Sequence, residues 1–154
     1  MSVKPIPDGY ATVTPYLIIR GASEAIEFYK KVFGAKERLR IPMPESRIAH
    51  AEIEIGNSLI MLADECPEMS IRGPLSIGGS PVNLHVYVTD ADDIYAKALA
   101  AGATQVRPMA NQFYGDRSGI FTDPFGHSWS VSTHVEDVAP EELEKRMAAM
   151  SVKS

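Results

Sequence analysis

Two short stretches bring together residue types that can do chemistry. In "IAHAEIEIG", residues 48–56, strand alternation sets His50, Glu52 and Glu54 on one face and Ala49, Ala51, Ile53 and Ile55 on the other. In "VNLHVYV", residues 82–88, Asn83, His85 and Tyr87 share a face opposite Leu84, Val86 and Val88. A small apolar face suits packing under a helix, which leaves the polar faces for a cleft. His50, Glu52 and His85, two imidazoles and a carboxylate, make a sensible set for a divalent metal or for acid–base work near neutral pH. They serve equally as hydrogen-bonded residues of a wet cleft or a subunit interface, and the pattern leaves these readings open.

A third stretch, "FYGDRSGIFTDPFGHSWSVSTH", residues 113–134, holds two aspartates, an arginine and two histidines. Turn chemistry accounts for most of them. Gly115-Asp116 suits a two-residue hairpin turn, and Asp123-Pro124-Phe125-Gly126 has the residue order of a type I turn. Three antiparallel strands follow, with Asp116 and Asp123 as turn residues, His127 leaving a turn, and Trp129 and Val131 aimed at a helix-covered face. Flanking a two-residue turn would make Tyr114 and Arg117 directly opposed, either as a surface cross-strand pair or as a pair reaching a ligand. Cys66 is the only cysteine, and Asp64, Glu65 and Glu68 around it oppose thiolate formation. "IGGS" neither follows a clear strand nor precedes a helix, so it is no phosphate loop.

The elements that must position these residues are legible from periodicity. "ATVTPYLII" reads as a strand, followed by Gly21 and by Ser23 as a helix N-cap. "EAIEFYKKVFG" places Ala25, Phe28, Tyr29, Val32 and Phe33 at helical spacing and ends at Gly34, suited to a left-handed cap. "KERLRIP", "RIAHAEIEIG" and "SLIMLA" read as three further strands, giving β-α-β-β-β. Residues 65–80, rich in Gly, Pro and Ser, form a connector. The pattern then restarts: the strand "VNLHVYVTD", an N-cap at Asp90, and a helix "ADDIYAKALAAG" burying Ile94, Ala98 and Leu99 and ending at Gly102. Thr14, Ile26, Gly34 and Ala35 overlay Asn83, Ile94, Gly102 and Ala103, the trace of a duplicated unit. In the tail, "PEELEKRMAAM" reads as a helix with an apolar stripe of Leu143, Met147 and Met150, suited to packing on the body or on a second chain.

Composition bounds the function. The 154 residues are 45% hydrophobic and 23% charged, an ordinary globular balance. A net charge of -5 without a Lys/Arg cluster argues against nucleic acid as a partner. One cysteine allows no intrachain disulfide, the N-terminal "MSVKPIPDGYATV" lacks the apolar core of a signal peptide, and no apolar run is long enough to span a bilayer. The expectation is a cytoplasmic protein that uses no membrane.

A doubled β-α-β-β-β chain, with "TPYLIIRGASEAIEFYKKVFGA" opening one copy and "TDPFGHSW" closing the other, resembles the vicinal oxygen chelate (glyoxalase/bleomycin resistance/dioxygenase) superfamily and, more narrowly, its PhnB-like branch. The resemblance implies an α+β fold: two tandem βαβββ modules forming a cup-shaped mixed sheet with helices outside. It makes residues 1–136 one domain, with modules at about 11–64 and 81–136, and residues 137–154 a C-terminal helix or tail.

In the enzymes of that superfamily the cup holds a divalent metal on His or Glu from the first and last strand of each module. Carried over, those positions are Thr14, Met61, Asn83 and Ser130. None is an imidazole or a carboxylate, so no metal is expected there and no cofactor is expected at all. A divalent ion enters only if the site has moved to His50, Glu52 and His85. The leading expectation is a cleft that binds a small organic molecule, aromatic or conjugated, through Tyr16, Asn83, His85, Tyr87 and Ser130, with Tyr114 and Arg117 as further contacts. The alternative is a lyase, isomerase or thiol transferase using the relocated site. A homodimer is expected, since the resemblance implies cups completed across two chains.

Overall fold

A computed structural model describes residues 2–152, and the chain divides into two compact units, the first ending at Pro81 and the second beginning at Val82. Each holds a four-stranded mixed sheet beside a helix, so the fold is α+β with two tandem modules.

The first unit runs β1 (Tyr16–Ile19), α1 (Ala22–Phe33), β2 (Lys36–Met43), β3 (Arg47–Ile55) and β4 (Ser58–Asp64), with strand order β1-β4-β3-β2 and only β1–β4 parallel. Its core forms where Ala22, Ala25, Ile26, Tyr29 and Val32 of α1 cover Leu17, Ile19, Ala51, Ile53 and Leu62 of the sheet. The connector that follows is less featureless than its composition suggests, holding a 3-10 turn at Pro67–Met69 and a short helix α2 (Pro74–Ile77).

Three local expectations change here for nonlocal reasons. The helix is not capped by Ser23: it begins at Ala22, and Asp64 from the end of β4 does the capping, its Oδ1 accepting from Gly21 N at 3.1 Å and Ala22 N at 2.9 Å. Parallel pairing of Ile19 with Asp64 is what delivers that carboxylate to the strand-to-helix turn. Ala49 does not face the helix. Ile41 pairs with His50 and Pro42 with Ile48, so Ala49 is bulged out and exposed while Ile48 takes the buried place. Pro42 has no N–H to donate to the ladder at this point, and the Ile48 N–H donates to Asp64 Oδ2 at 2.7 Å. Strand β1 is also shorter than its composition suggests, starting after Pro15. Gly34 caps α1 as expected, at φ 68°.

The second unit runs β5 (Asn83–Tyr87), α3 (Ala91–Ala100), β6 (Thr104–Asn111), β7 (Asp116–Thr122), β8 (Ser128–His134) and α4 (Pro140–Val152), with strand order β5-β8-β7-β6 and β5–β8 parallel. Asp90 caps α3 through a bond from Asp93 N at 3.1 Å. Its buried face is Ala91, Tyr95 and Ala98, set on Phe121, Trp129 and Val131. Ile94 and Leu99, expected inside, are half-buried. Tyr95 takes the central place because its ring meets Phe121 edge-on and its hydroxyl reaches Arg107 O at 2.9 Å, which satisfies the polar tip. Asp123 opens the expected turn, and its carboxylate also accepts from Phe125 N, His127 N and Trp129 Nε1, tying the turn to the core.

The β6–β7 hairpin has a longer loop than the two residues expected. Gly115 N bonds Gln112 O and Gln112 N bonds Asp116 O, so Phe113, Tyr114 and Gly115 form the loop and Arg117 opposes Asn111. Tyr114 and Arg117 are therefore not a directly opposed pair. Gly115 stands at φ 99°, where an added Cβ would lie 2.1 Å from Glu136 O, so the returning C-terminal segment explains this glycine better than the turn alone.

Candidate functional site

On the sheet face of the second unit opposite α3, β5 presents Asn83, His85 and Tyr87, and parallel register sets Ser128, Ser130 and Ser132 of β8 directly beside them. The polar atoms form one hydrogen-bonded chain. Ser128 donates to Asn83 Oδ1 at 2.8 Å, Asn83 Nδ2 donates to Ser130 Oγ at 2.9 Å, and Ser130 Oγ lies 2.5 Å from His85 Nδ1. The Ser130 oxygen accepts from Asn83 and keeps a second lone pair, so toward His85 Nδ1 it donates when that nitrogen is bare and accepts when that nitrogen carries the proton. With Ser130 donating, the ring proton of His85 sits on Nε2. The ring of exposed Tyr87 meets His85 edge-on, centroids 4.8 Å apart, and its hydroxyl donates to Asp116 Oδ2 at 3.1 Å. That bond raises the Tyr87 phenol pKa and keeps the phenol protonated. Beneath Tyr87 in register, Ser132 is fully buried and its hydroxyl has no hydrogen-bond partner.

Asp116 is a correction to the turn reading. It is 4% exposed at the start of β7 and holds both Tyr87 and His134, whose Nδ1 is 2.8 Å from Asp116 Oδ1 and whose Nε2 is 2.7 Å from Asp137 Oδ1. Hydrogen bonds to Asp116 and then Asp137 raise the His134 pKa, favouring the imidazolium. Ser132 and His134 continue the alternation Ser128, Ser130 in "SWSVSTH", a signal sufficient to find them from sequence. Asp116 gave no such signal, because its role depends on pairing with His134 across β7 and β8.

Arg117 and Tyr114 serve other contacts. Arg117 forms a fork on Asp92 of α3, Nε to Oδ2 at 2.7 Å and Nη2 to Oδ1 at 2.9 Å, which lowers the Asp92 pKa. Tyr114 Oη lies 3.5 Å from Ser118 Oγ.

In the first unit the structure brings His50 and Glu52 together and adds two tyrosines. His50 Nε2 is 2.7 Å from Glu52 Oε2 and His50 Nδ1 is 2.7 Å from Tyr16 Oη, while Tyr10 donates to Glu52 Oε1. Tyr10 lies in a loop without periodicity, so nothing in the sequence pointed to it. His85 belongs to the second unit's own network.

The four inherited metal positions do not suit a divalent ion. In the first unit they supply the Thr14 hydroxyl, which bonds Ala11 O at 3.3 Å, and the Met61 thioether. In the second, Asn83 Oδ1 accepts from Ser128, and Ser130 Oγ is engaged by Asn83 Nδ2 and His85 Nδ1. Within neither unit, among the described residues, do three or more His, Cys, Asp or Glu side chains gather as a metal site. Among the described residues no helix is long and apolar enough to cross a membrane.

Comparison with known proteins agrees with this architecture. The family model of the Glyoxalase/Bleomycin resistance protein/Dioxygenase superfamily matches residues 11–131. An uncharacterised protein of Mycobacterium bovis is 40% identical over 140 residues, covering 89% of this chain and 92% of its own. Among solved structures, TioX from Micromonospora is 27% identical with a TM-score of 0.64, covering 81% of this chain and 99% of its own. A PhnB protein from Bacillus cereus, 19% identical with a TM-score of 0.65 over 80% of this chain and 99% of its own, shares the fold.

Proposed function

Because the chain belongs to the glyoxalase/bleomycin resistance protein/dioxygenase superfamily, whose fold supports both binding proteins and enzymes, we propose from the site itself that this protein binds a small planar organic molecule on the β5–β8 face of its second unit, without the family metal. The observation that carries this reading is the hydrogen-bonded chain Ser128, Asn83, Ser130, His85. In this reading Ser130 donates to His85 Nδ1, and the chain ends in one donor, His85 Nε2–H, beside the exposed ring of Tyr87. A ligand complementary to this face carries an acceptor, such as a carbonyl, carboxylate or phenolate, on a flat apolar body that packs on Tyr87.

A thermal-shift screen of aromatic antibiotics, thiol conjugates and small keto acids, followed by calorimetry, tests the proposal. Removing the Tyr87 ring or the His85 imidazole is expected to cost about 1–3 kcal/mol, roughly one to two decades in affinity. Ser130→Ala, which frees the His85 tautomer, weakens acceptor-bearing ligands more than their apolar analogues. Binding unchanged in His85→Ala, Tyr87→Ala and Ser130→Ala together would overturn it.

A further inference from the structure

The first unit carries a row of ionisable groups that this binding face does not use. Glu52 is 6% exposed on β3, and hydrogen bonds from Tyr10 and then His50 hold its carboxyl below the usual carboxylate range. It is therefore an acceptor only, and the proton shared with His50 resides on Nε2. A neutral imidazole protonated at Nε2 has a bare Nδ1, so the Tyr16 hydroxyl, 2.7 Å away, donates to it. Tyr16 is 47% exposed, which leaves lone pairs of its oxygen open to a visiting molecule. Beside the row lies a pocket of about 430 Å³ whose lining includes Pro5, Ile6, Pro7, Tyr10, Thr14 and Met61. Tyr10 belongs to both pocket and row, and Met61 pairs in register with both Tyr16 and Glu52. The volume suits a small ligand and the lining is mostly apolar.

We propose that Tyr16, His50 and Glu52 form a proton relay that makes Tyr16 Oη a general base, and in reverse a general acid, toward a small, largely apolar molecule bearing an acidic hydroxyl. The visitor's O–H proton passes to Tyr16 Oη as the proton Tyr16 held passes to His50 Nδ1. The imidazolium so formed stands against the Glu52 carboxylate, and the visitor is left as an oxyanion hydrogen-bonded by the re-formed Tyr16 hydroxyl. Two protons move, no other bond changes, and no co-reactant is needed. Burial and the Glu52 charge raise the Tyr16 pKa, which disfavours a resting phenolate and suits a relay that never forms one. Tyr10 is a positioning residue, fixing the Glu52 carboxylate from the far side. No residue of this row belongs to the His85 face, so the two sites stand or fall separately.

para-Nitrophenol is a suitable probe: a compact aromatic hydroxyl compound near imidazole in acidity, it reports its own ionisation by colour. Below the pH at which the free probe ionises, saturating full-length protein is expected to raise the ionised fraction about tenfold, corresponding to one pKa unit. Tyr16→Phe and His50→Gln abolish that rise. Nitrogen-15 NMR supplies a second reading that needs no ligand: His50 is expected as the Nε2–H tautomer, changing to a mixture in Glu52→Gln. The proposal is overturned if the probe does not bind at millimolar concentration, if bound probe ionises as it does free, if the relay variants leave the effect intact, or if His50 carries its proton on Nδ1.

Discussion

Replacing Asp64 with alanine should destabilise the first unit far more than its place at a strand end suggests. The side chain is 8% exposed and accepts three backbone N–H groups, Gly21 and Ala22 at the start of α1 and Ile48 beside the Ala49 bulge. The two helix donors behave as a lost N-cap, worth about 0.5–2 kcal/mol because water can partly replace the carboxylate. The Ile48 N–H belongs to a residue 2% exposed, and leaving a buried donor unpaired costs about 1–3 kcal/mol. Together these give about 1.5–5 kcal/mol, a large share of the stability of an ordinary domain. Asp64→Asn keeps one oxygen but turns an N–H₂ toward one of the donors, so it should fall between wild type and alanine. Urea denaturation followed by far-ultraviolet circular dichroism, with the slope m unchanged, reads the difference. A loss below about 0.5 kcal/mol for Asp64→Ala would refute the claim that this carboxylate joins the helix start to the bulge.

Three further outcomes are expected. Protein purified without chelator carries no stoichiometric divalent ion at Thr14, Met61, Asn83 and Ser130; elemental analysis finding one tightly held ion per chain, retained in His50→Ala and His85→Ala, contradicts this. The protein is a two-fold homodimer at micromolar concentration, with the Leu143, Met147, Met150 stripe of α4 as a candidate contact; a monomeric mass by light scattering contradicts it. His134, raised by Asp116 and Asp137, contributes stability that is fully present below its unfolded pKa of about 6.5 and is lost as pH rises through the folded value. Its NMR titration midpoint should accordingly lie above that reference and fall in Asp116→Asn, and a midpoint unmoved by that substitution contradicts the pairing.

What the sequence made legible was whatever depends on neighbours along the chain. Gly34 as a left-handed cap, Asp90 as an N-cap and the Asp123 turn are each set within a few residues, and all three are present. The repeat was legible too, because parallel register places Met61 beside Tyr16 and Ser130 beside His85 in the same relation. What escaped depends on partners distant in sequence. Ser23 is a better N-cap by type than Gly21, but Asp64 arrives from the end of β4 and takes the role. Alternation through Ala49 fails because the pairing with the adjacent strand shifts between Ile41 and Pro42 and leaves Ala49 without a partner in the ladder. Asp116 looks like a turn residue until β8 brings His134 against it. The candidate sites follow the same division: alternation found His50, Glu52, Asn83, His85 and Tyr87, whereas Tyr10 reaches Glu52 across 42 positions of chain from a loop without a pattern.

The most direct test of the binding account is a crystal structure of the protein with the tightest compound from the screen. The account predicts a planar ligand packed on Tyr87 with an acceptor atom within hydrogen-bond distance of His85 Nε2, the Asn83–Ser130–His85 chain intact. A ligand seated away from β5 and β8, or one that presents a donor to His85 Nε2, would contradict it.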